Sequence, residues 1–220
     1  MPKREQFFAD LEGDKRQAAL LVVQVGGMPQ ELQLITQIAE YDAEAAGLRP
    51  VRSYIIRVLG AAEHRVENLG MTVDKVQLLT EHPLLYQYNS RPTAVFFRGA
   101  VQNADALALD IAQAHASTFG LWRHFPQYLN TNQALATLFA SGGGLIGQMP
   151  QPLADRIAAV LAKHGIEHKI MQDTAQAGGS EPPFMKDQQI AVLLFGSSYF
   201  VSHAFSFEEM RGRQKQTPET

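Results

Sequence analysis

The chain predicts an α+β fold: two ferredoxin-like units, each containing a β-α-β segment, forming an α/β sandwich on a largely antiparallel sheet. Three observations predict it. The phrase Val25-Gly26-Gly27-Met28-Pro29-Gln30-Glu31-Leu32 returns as Ile146-Gly147-Gln148-Met149-Pro150-Gln151-Pro152-Leu153. Each copy follows a short apolar run, precedes apolar residues at helical spacing, and is closed by a Gly before another apolar run. Finally, Gly196-Ser197-Ser198 separates two apolar runs by the length of a hairpin turn, and parallel neighbours cannot be joined so briefly. A doubly wound parallel sheet is the alternative. The duplication implies a first unit over 1–130 and a second over 131–220, closely packed on the first.

The elements follow in order. Residues 5–12 predict a short helix burying Phe7, Phe8 and Leu11. The unbroken apolar run 18–25 predicts a strand covered on both faces. Pro29 stands where a first helical residue should, because its missing N–H has no partner there anyway. The predicted helix carries Leu34, Ile35, Ile38, Tyr41 and Ala45 on one face and stops at Gly47. Residues 51–59 return as a strand. Residues 75–79 and 84–88 predict strands, with turns at Asn68-Leu69-Gly70 and Asn89-Ser90-Arg91-Pro92.

Residues 93–99 predict a firmer strand. Asn103 then caps a helix that turns Leu107, Ile111, Ala114 and Thr118 inward and ends at Gly120. Residues 121–141 predict two helical pieces, the second capped by Asn130 or Thr131. The second copy of the phrase opens a helix carrying Leu153, Ile157, Val160 and Leu161, which ends at Gly165 and leads into a strand over 166–171. The Gly-, Pro- and Ser-rich stretch 172–189 predicts a long loop, the usual form of a lid. Residues 190–195 and 199–207 predict two strands around the Gly196 turn, and the tail after Met210 is polar.

Composition narrows the function classes. With 45% apolar and 19% charged residues the 220-residue chain is globular, and a net charge of −3 gives no footprint for nucleic-acid binding. The absence of Cys excludes disulfides, thiolate metal sites and thiol nucleophiles. No apolar stretch approaches the roughly 18–20 residues that span a bilayer, and no secretory leader is evident at Met1. A soluble cytoplasmic protein, without cofactor or metal, is expected.

Candidate chemistry is sparse. Gly142, Gly144 and Gly147 match the G-x-G-x-x-G spacing that brings a pyrophosphate to a helix N-terminus, but the preceding residues read as helix, and Pro150 and Pro152 delay the next one. A helix-to-strand connection explains them better. Glu-His occurs at Glu63-His64, Glu81-His82 and Glu167-His168, yet adjacent residues on a strand point to opposite faces. Gly196-Ser197-Ser198 lacks the strand-to-helix setting of a nucleophile elbow. Alternation puts Tyr199, Val201, His203, Phe205 and Phe207 on one face, where an imidazole among aromatics loses hydration and suits a base or hydrogen-bond partner.

The stretch 120–128 concentrates the only Trp with two further aromatics, an Arg and a His. From residue 106 to 154 the only formal charges are Asp110 and Arg123. Depleted charge beside retained aromatics describes a partner-facing surface. Two functions follow. The first is a non-catalytic binding, regulatory or assembly factor, a homo-oligomer or the ligand of a protein partner, with Leu121, Trp122, Phe125 and Tyr128 at the interface. The alternative is an enzyme or small-molecule binder with a pocket at the seam of the two units, using His203, Tyr199, Arg123 and His124.

Overall fold

The computed structural model describes residues 3–13, 16–44, 46–172 and 189–210. In chain order the first elements are helix α1 (Lys3–Leu11) and strands β1 (Arg16–Val25), β2 (Glu31–Asp42), β3 (Gly47–Arg65), β4 (Thr72–Val73) and β5 (Val76–Leu79). Helix α2 (Tyr86–Asn89), strand β6 (Pro92–Arg98), helices α3 (Ala104–Phe119) and α4 (Leu135–Ala140), and strand β7 (Gly143–Pro150) come next. Helix α5 (Gln151–Lys163) and strands β8 (Glu167–Gln172), β9 (Ala191–Phe195) and β10 (Ser198–Glu209) complete the described chain. The α+β class and the mainly antiparallel pairing agree with expectation. None of these helices is long and apolar enough to cross a membrane.

The chain divides into two compact units, but not at residue 130. One lies within Met1–Thr80 together with Asp187–Thr220, the other within Glu81–Lys186. The reason is strand pairing: β10 runs antiparallel to β3 from Tyr199↔Arg65 to Glu209↔Tyr54, which returns the end of the described chain to the first unit.

In the first unit a single sheet has the order β4-β1-β2-β3-β10-β9-β5. Its two outer members are separated in sequence only by Asp74 and Lys75. One short segment therefore closes the sheet on itself as a barrel, pairing with β1 through Ala18↔Val73 and with β9 from Val76↔Phe195 to Leu79↔Val192. The core inside includes Leu20, Leu34, Ile38, Tyr54, Ile56, Val58, Leu193 and Phe200. The Gly196 turn is the hairpin that was expected, with Ser198 opposite Phe195.

Three expectations are corrected here. The helix after Pro29 is strand β2, paired along its length with β1 and β3. Leu34, Thr36 and Ile38 are buried at a spacing of two, whereas Met28 and Pro29 lie in the β1–β2 hairpin loop with Gln30 at φ +58°. Strand β1 is not covered on both faces: Leu21 and Val22 are exposed beyond a bulge that follows Leu20. The alternation along β10 does not persist either, because the ladder steps from Val201↔Glu63 to Ser202↔Ala61 beside Gly60, at φ +69°. Phe200, Phe205 and Phe207 consequently share one core despite their odd spacing.

The second unit holds a three-stranded antiparallel sheet, β7-β6-β8, with the order β6-α3-α4-β7-α5-β8 along the chain. Both β7 and β8 run antiparallel to β6, so β7-α5-β8 is a crossover between parallel strands that flank β6. Helix α3 starts at Asn103, whose Oδ1 accepts from the Ala106 N–H at 3.0 Å, and it buries Leu107, Ile111, Ala114 and Thr118 as expected. Helix α5 buries Leu153, Ile157 and Leu161 against the same core. Residues 84–88 are not a strand. Pro83 opens a 3-10 turn that runs into α2, and the His82 ring accepts from the Leu84 N–H at 3.3 Å. The long predicted loop, apart from residues 172 and 189, and the polar tail after Met210 lie outside the described residues.

The repeated phrase thus occupies two unrelated settings. Met28 is exposed in a hairpin loop, whereas Met149 is buried at the end of β7, just before α5. Only the second copy opens a β-α-β unit, so the expected duplication is not what the two units share. What the first copy does locally is form a turn: the Glu31 carboxylate accepts from the Met28 N–H at 3.0 Å and packs where a Cβ on Gly26 would sit, 2.4 Å from Glu31 Cγ.

Helix α1 is fastened to the barrel by more than apolar contact. Phe7 is fully buried, edge-on to the Tyr54 ring at 5.1 Å. Beside it Asp10 accepts from Arg52 Nη1 at 2.9 Å and from the Tyr54 hydroxyl at 2.5 Å. Burial, and then the hydrogen bond to Asp10, push the Tyr54 phenol up to about 12 from its ordinary 10.0. The fold therefore holds Tyr54 protonated, and that contribution is full below pH 10.0 and lost as pH rises through about 12. An alkaline titration should find Tyr54 ionising near 12 while thermal stability falls over that interval. Tyr54→Phe, which keeps the ring but not the hydroxyl, should remove that late phenolate and cost about 1–2 kcal/mol in chemical denaturation.

Candidate functional site

The turn after α3 gathers most of the residues that the sequence singled out. Gly120, at φ +57°, ends the helix with its N–H on the Ala116 carbonyl at 2.8 Å and sends the next residue away from the core. Leu121 is consequently 95% exposed. Trp122 folds back, its N–H on the Phe119 carbonyl at 3.1 Å and its indole edge-on to His82 at 5.1 Å. Arg123 is buried and donates from Nη2 to the Leu84 carbonyl at 3.4 Å. His124 is exposed, and Phe125–Tyr128 form a 3-10 turn.

The four residues expected at an interface therefore divide. Leu121 is displayed and Trp122 is half-buried, but Phe125 and Tyr128 pack on the core of their own unit. Tyr128 stacks on Phe119 at 5.2 Å and donates its hydroxyl to Gln87 Oε1 at 3.0 Å. Phe125 meets His115 edge-on at 5.6 Å. These contacts pin the base of the turn and leave its tip in water.

The charges of this stretch are occupied. Asp110 accepts on one oxygen from both Lys163 Nζ and His164 Nε2, each at 2.8 Å, which ties α3 to the end of α5. The hydrogen bond from Lys163, followed by that from His164, holds the Asp110 carboxyl below its ordinary value. With Arg123 turned inward as well, the surface around Leu121 carries no formal charge from residues 106–154.

The four residues expected to bind a ligand fall in different units, Tyr199 and His203 in the barrel, Arg123 and His124 in the other. In the barrel Tyr199 donates to Glu63 Oε1 at 2.6 Å, with the Arg65 guanidinium 5.2 Å from its ring centre. His203 is half-buried, and its Nδ1 is enclosed with no hydrogen-bond partner. Arg123 is occupied by a carbonyl within its own unit, a positioning contact that sequence could not reveal.

The two Glu-His pairs that lie on strands separate as strand geometry requires. Glu63 meets Tyr199 while His64 stacks on Phe200, and Glu167 lies opposite Arg98 while His168 lies opposite Phe97. Among the described residues no three His, Asp or Glu side chains gather as a metal site. The glycine run also acquires a physical explanation. It begins with Gly142 in the turn after helix α4 and continues into strand β7, the reverse of the strand-to-helix order that a dinucleotide site needs. A Cβ on Gly147 would lie 2.0 Å from the Tyr128 carbonyl oxygen, so that glycine admits the chain at Leu129, which bridges to it.

One cavity of this unit was not anticipated. A cleft of about 240 Å³ is lined by Gln87, Ser90, Tyr128 and Gln148 together with Pro92 and Pro150. Its polar groups are amides and hydroxyls, scattered over 60 residues of sequence, and no local motif announces them.

His115 lies behind the turn, buried against Phe119 and Phe125, with Nε2 unpartnered, and burial lowers its pKa below the ordinary 6.5. The fold thus favours the neutral ring, and this contribution is present above pH 6.5 and lost as pH falls below it. The unfolding midpoint should drop on acidification below 6.5, and His115→Phe should flatten that part of the profile. A ring whose NMR titration is centred at 6.5 or above would contradict the assignment. No protein-family model matches the chain, and neither curated proteins nor solved structures show a significant similarity to it.

Proposed function

We propose that this protein is a non-catalytic binding or assembly factor that engages a protein partner through the exposed turn following α3. The observation that carries the reading is Leu121, a leucine 95% exposed on a turn whose base is fixed by Trp122, Arg123 and Tyr128. A mobile leucine would cost little; one held in water by a rigid base contributes nothing to its own core and offers a preorganised anchor. The scarcity of charge in the stretch 106–154 that contains it supports the same reading, since interface centres are depleted of charge.

The test introduces charge where the fold does not need the side chain. With a photo-crosslinking residue at position 121 of the full chain, a discrete crosslinked partner is expected in cells that make the protein. Leu121→Asp should lower recovery of that partner tenfold or more, and Trp122→Ala should weaken it as well. Leu48→Asp, an exposed position on the barrel, should leave recovery unchanged. Equal recovery with Leu121→Asp and the unaltered chain would overturn the reading.

The 240 Å³ cleft favours a second reading, a site for a small neutral solute that exchanges hydrogen bonds with amides and hydroxyls. Titration with simple amides and polyols should then move the side-chain amide NMR signals of Gln87 and Gln148 together. Signals that stay fixed across both classes would dismiss it.

A further inference from the structure

We infer that the free edge of β1 is a pairing site for a second copy of this chain, joined antiparallel about a two-fold axis through Gln24. On that side β4 pairs only with Ala18 and Ala19, and the Gly70 N–H closes on the Leu20 carbonyl at 2.8 Å. Beyond Leu20, no described strand covers β1.

The ladder to β2 fixes which groups are available. Gly26 donates to the Glu31 carbonyl at 2.8 Å, so position 26 faces β2. By alternation, 24 and 22 do so too, which turns the N–H and C=O of Val23 and Val25 outward. These groups are self-complementary. About a two-fold at residue 24, Val23 of one copy lies opposite Val25 of the other and both exchange N–H···O=C bonds, while Leu21, in the bulge, stays outside the ladder.

Charge and side-chain chemistry select a like partner. No charged residue occurs from Gln17 to Gln30, so antiparallel self-pairing brings no like charges together. The side chain on the axis must be able to face itself, and a glutamine amide does so because it both donates and accepts. Gln24 Nε2 donates one hydrogen to Gln33 Oε1 at 3.2 Å within its own chain, leaving its second N–H and its Oε1 to pair with the same groups of the second copy. Val22, Val25 and Met28 are exposed along this edge at 36%, 78% and 67%, and pairing would remove apolar surface there from water. A two-fold contact of this kind is closed and adds no further copies. This surface belongs to the barrel and is independent of the turn at Leu121.

Sedimentation equilibrium of the full chain should report a dimer. Gln24→Lys and Gln24→Glu each place like charges on the axis at an exposed position, and each alone should raise the dissociation constant tenfold or more, leaving a monomer with an unchanged circular-dichroism spectrum. An equimolar mixture of the two should return to a dimer, because Lys then faces Glu. A monomeric unaltered chain, single variants that dimerise as before, or a mixture that stays monomeric would each overturn the inference.

Discussion

The barrel depends on one constraint: a sheet with two ends must bring them together, and here only the segment on either side of Asp74 and Lys75 can do it. The closing strand changes partner at that point. Its first part pairs with β1, its second with β9, and the side chain of Gln17 reaches across to Asp74 at 2.6 Å. The β9–β10 hairpin is seated on the same segment, for the Gly196 N–H lies 3.4 Å from the Lys75 carbonyl and a Cβ on Gly196 would meet Val73 at 3.0 Å. Because β9 and β10 are far along the chain, residues up to Thr80 cannot complete this sheet alone. The second unit is an excursion between β5 and β9, and the barrel is closed by contacts of long sequence separation, whose loop-closure entropy opposes their formation.

That arrangement explains what could be seen in the sequence and what could not. The helices α1, α3 and α5 were legible because their apolar faces and caps are local: Asn103 before α3, Gly120 after it, Gly165 after α5. The hairpin at Gly196 was legible for the same reason. Strand β2 was misread because Leu34, Ile35, Ile38 and Tyr41 happen to fall at helical spacing behind a proline. The competing signal, Leu34, Thr36 and Ile38 at a spacing of two, is interrupted by Ile35 on the other face and by the bulge between Ile38 and Ala39. In each case pairing with a neighbouring strand decided the outcome, and such pairing leaves no local trace. The repeated phrase misled in the same way, since Gly, Met, Pro and Gln serve a hairpin loop as readily as a strand-to-helix turn.

The candidate surface was legible as a depletion of charge, not as a motif. Sequence alone located the stretch 106–154 but could not separate its inner from its outer residues. Phe125 and Tyr128 resemble Leu121 and Trp122 in composition; what distinguishes them is Phe119 and His115 on α3, which draw the first pair inward. Arg123 shows the same limit. An arginine beside a tryptophan suggests a ligand contact, yet its guanidinium meets a carbonyl almost 40 residues earlier in the chain. The Asp10–Arg52–Tyr54 fastening joins residues more than 40 positions apart and has no sequence signature either.

The treatment of sheet edges separates β1 from the outer strands of the second unit. An open edge offers unpaired backbone groups to any passing strand, and proteins normally cover or charge it. In the second unit the outer side of β7 is covered: Leu129 bridges to Gly147, the Asn130 N–H donates to the Ile146 carbonyl at 2.7 Å, and its side chain donates to the Leu145 carbonyl at 3.1 Å. The outer strand β8 carries exposed Glu167 and Lys169. In the barrel, the ends of the sheet close on each other. Residues 21–25 of β1 have neither remedy. They hold no charge and no proline, and the bulge at Leu21 releases them from β4 without turning them from water. In the second unit cover and charge guard the outer strands, and in the barrel the sheet ends close on each other. Residues 21–25 instead present an uncharged edge that is symmetric in its hydrogen-bonding groups, and those are the properties that a strand needs in order to pair with itself.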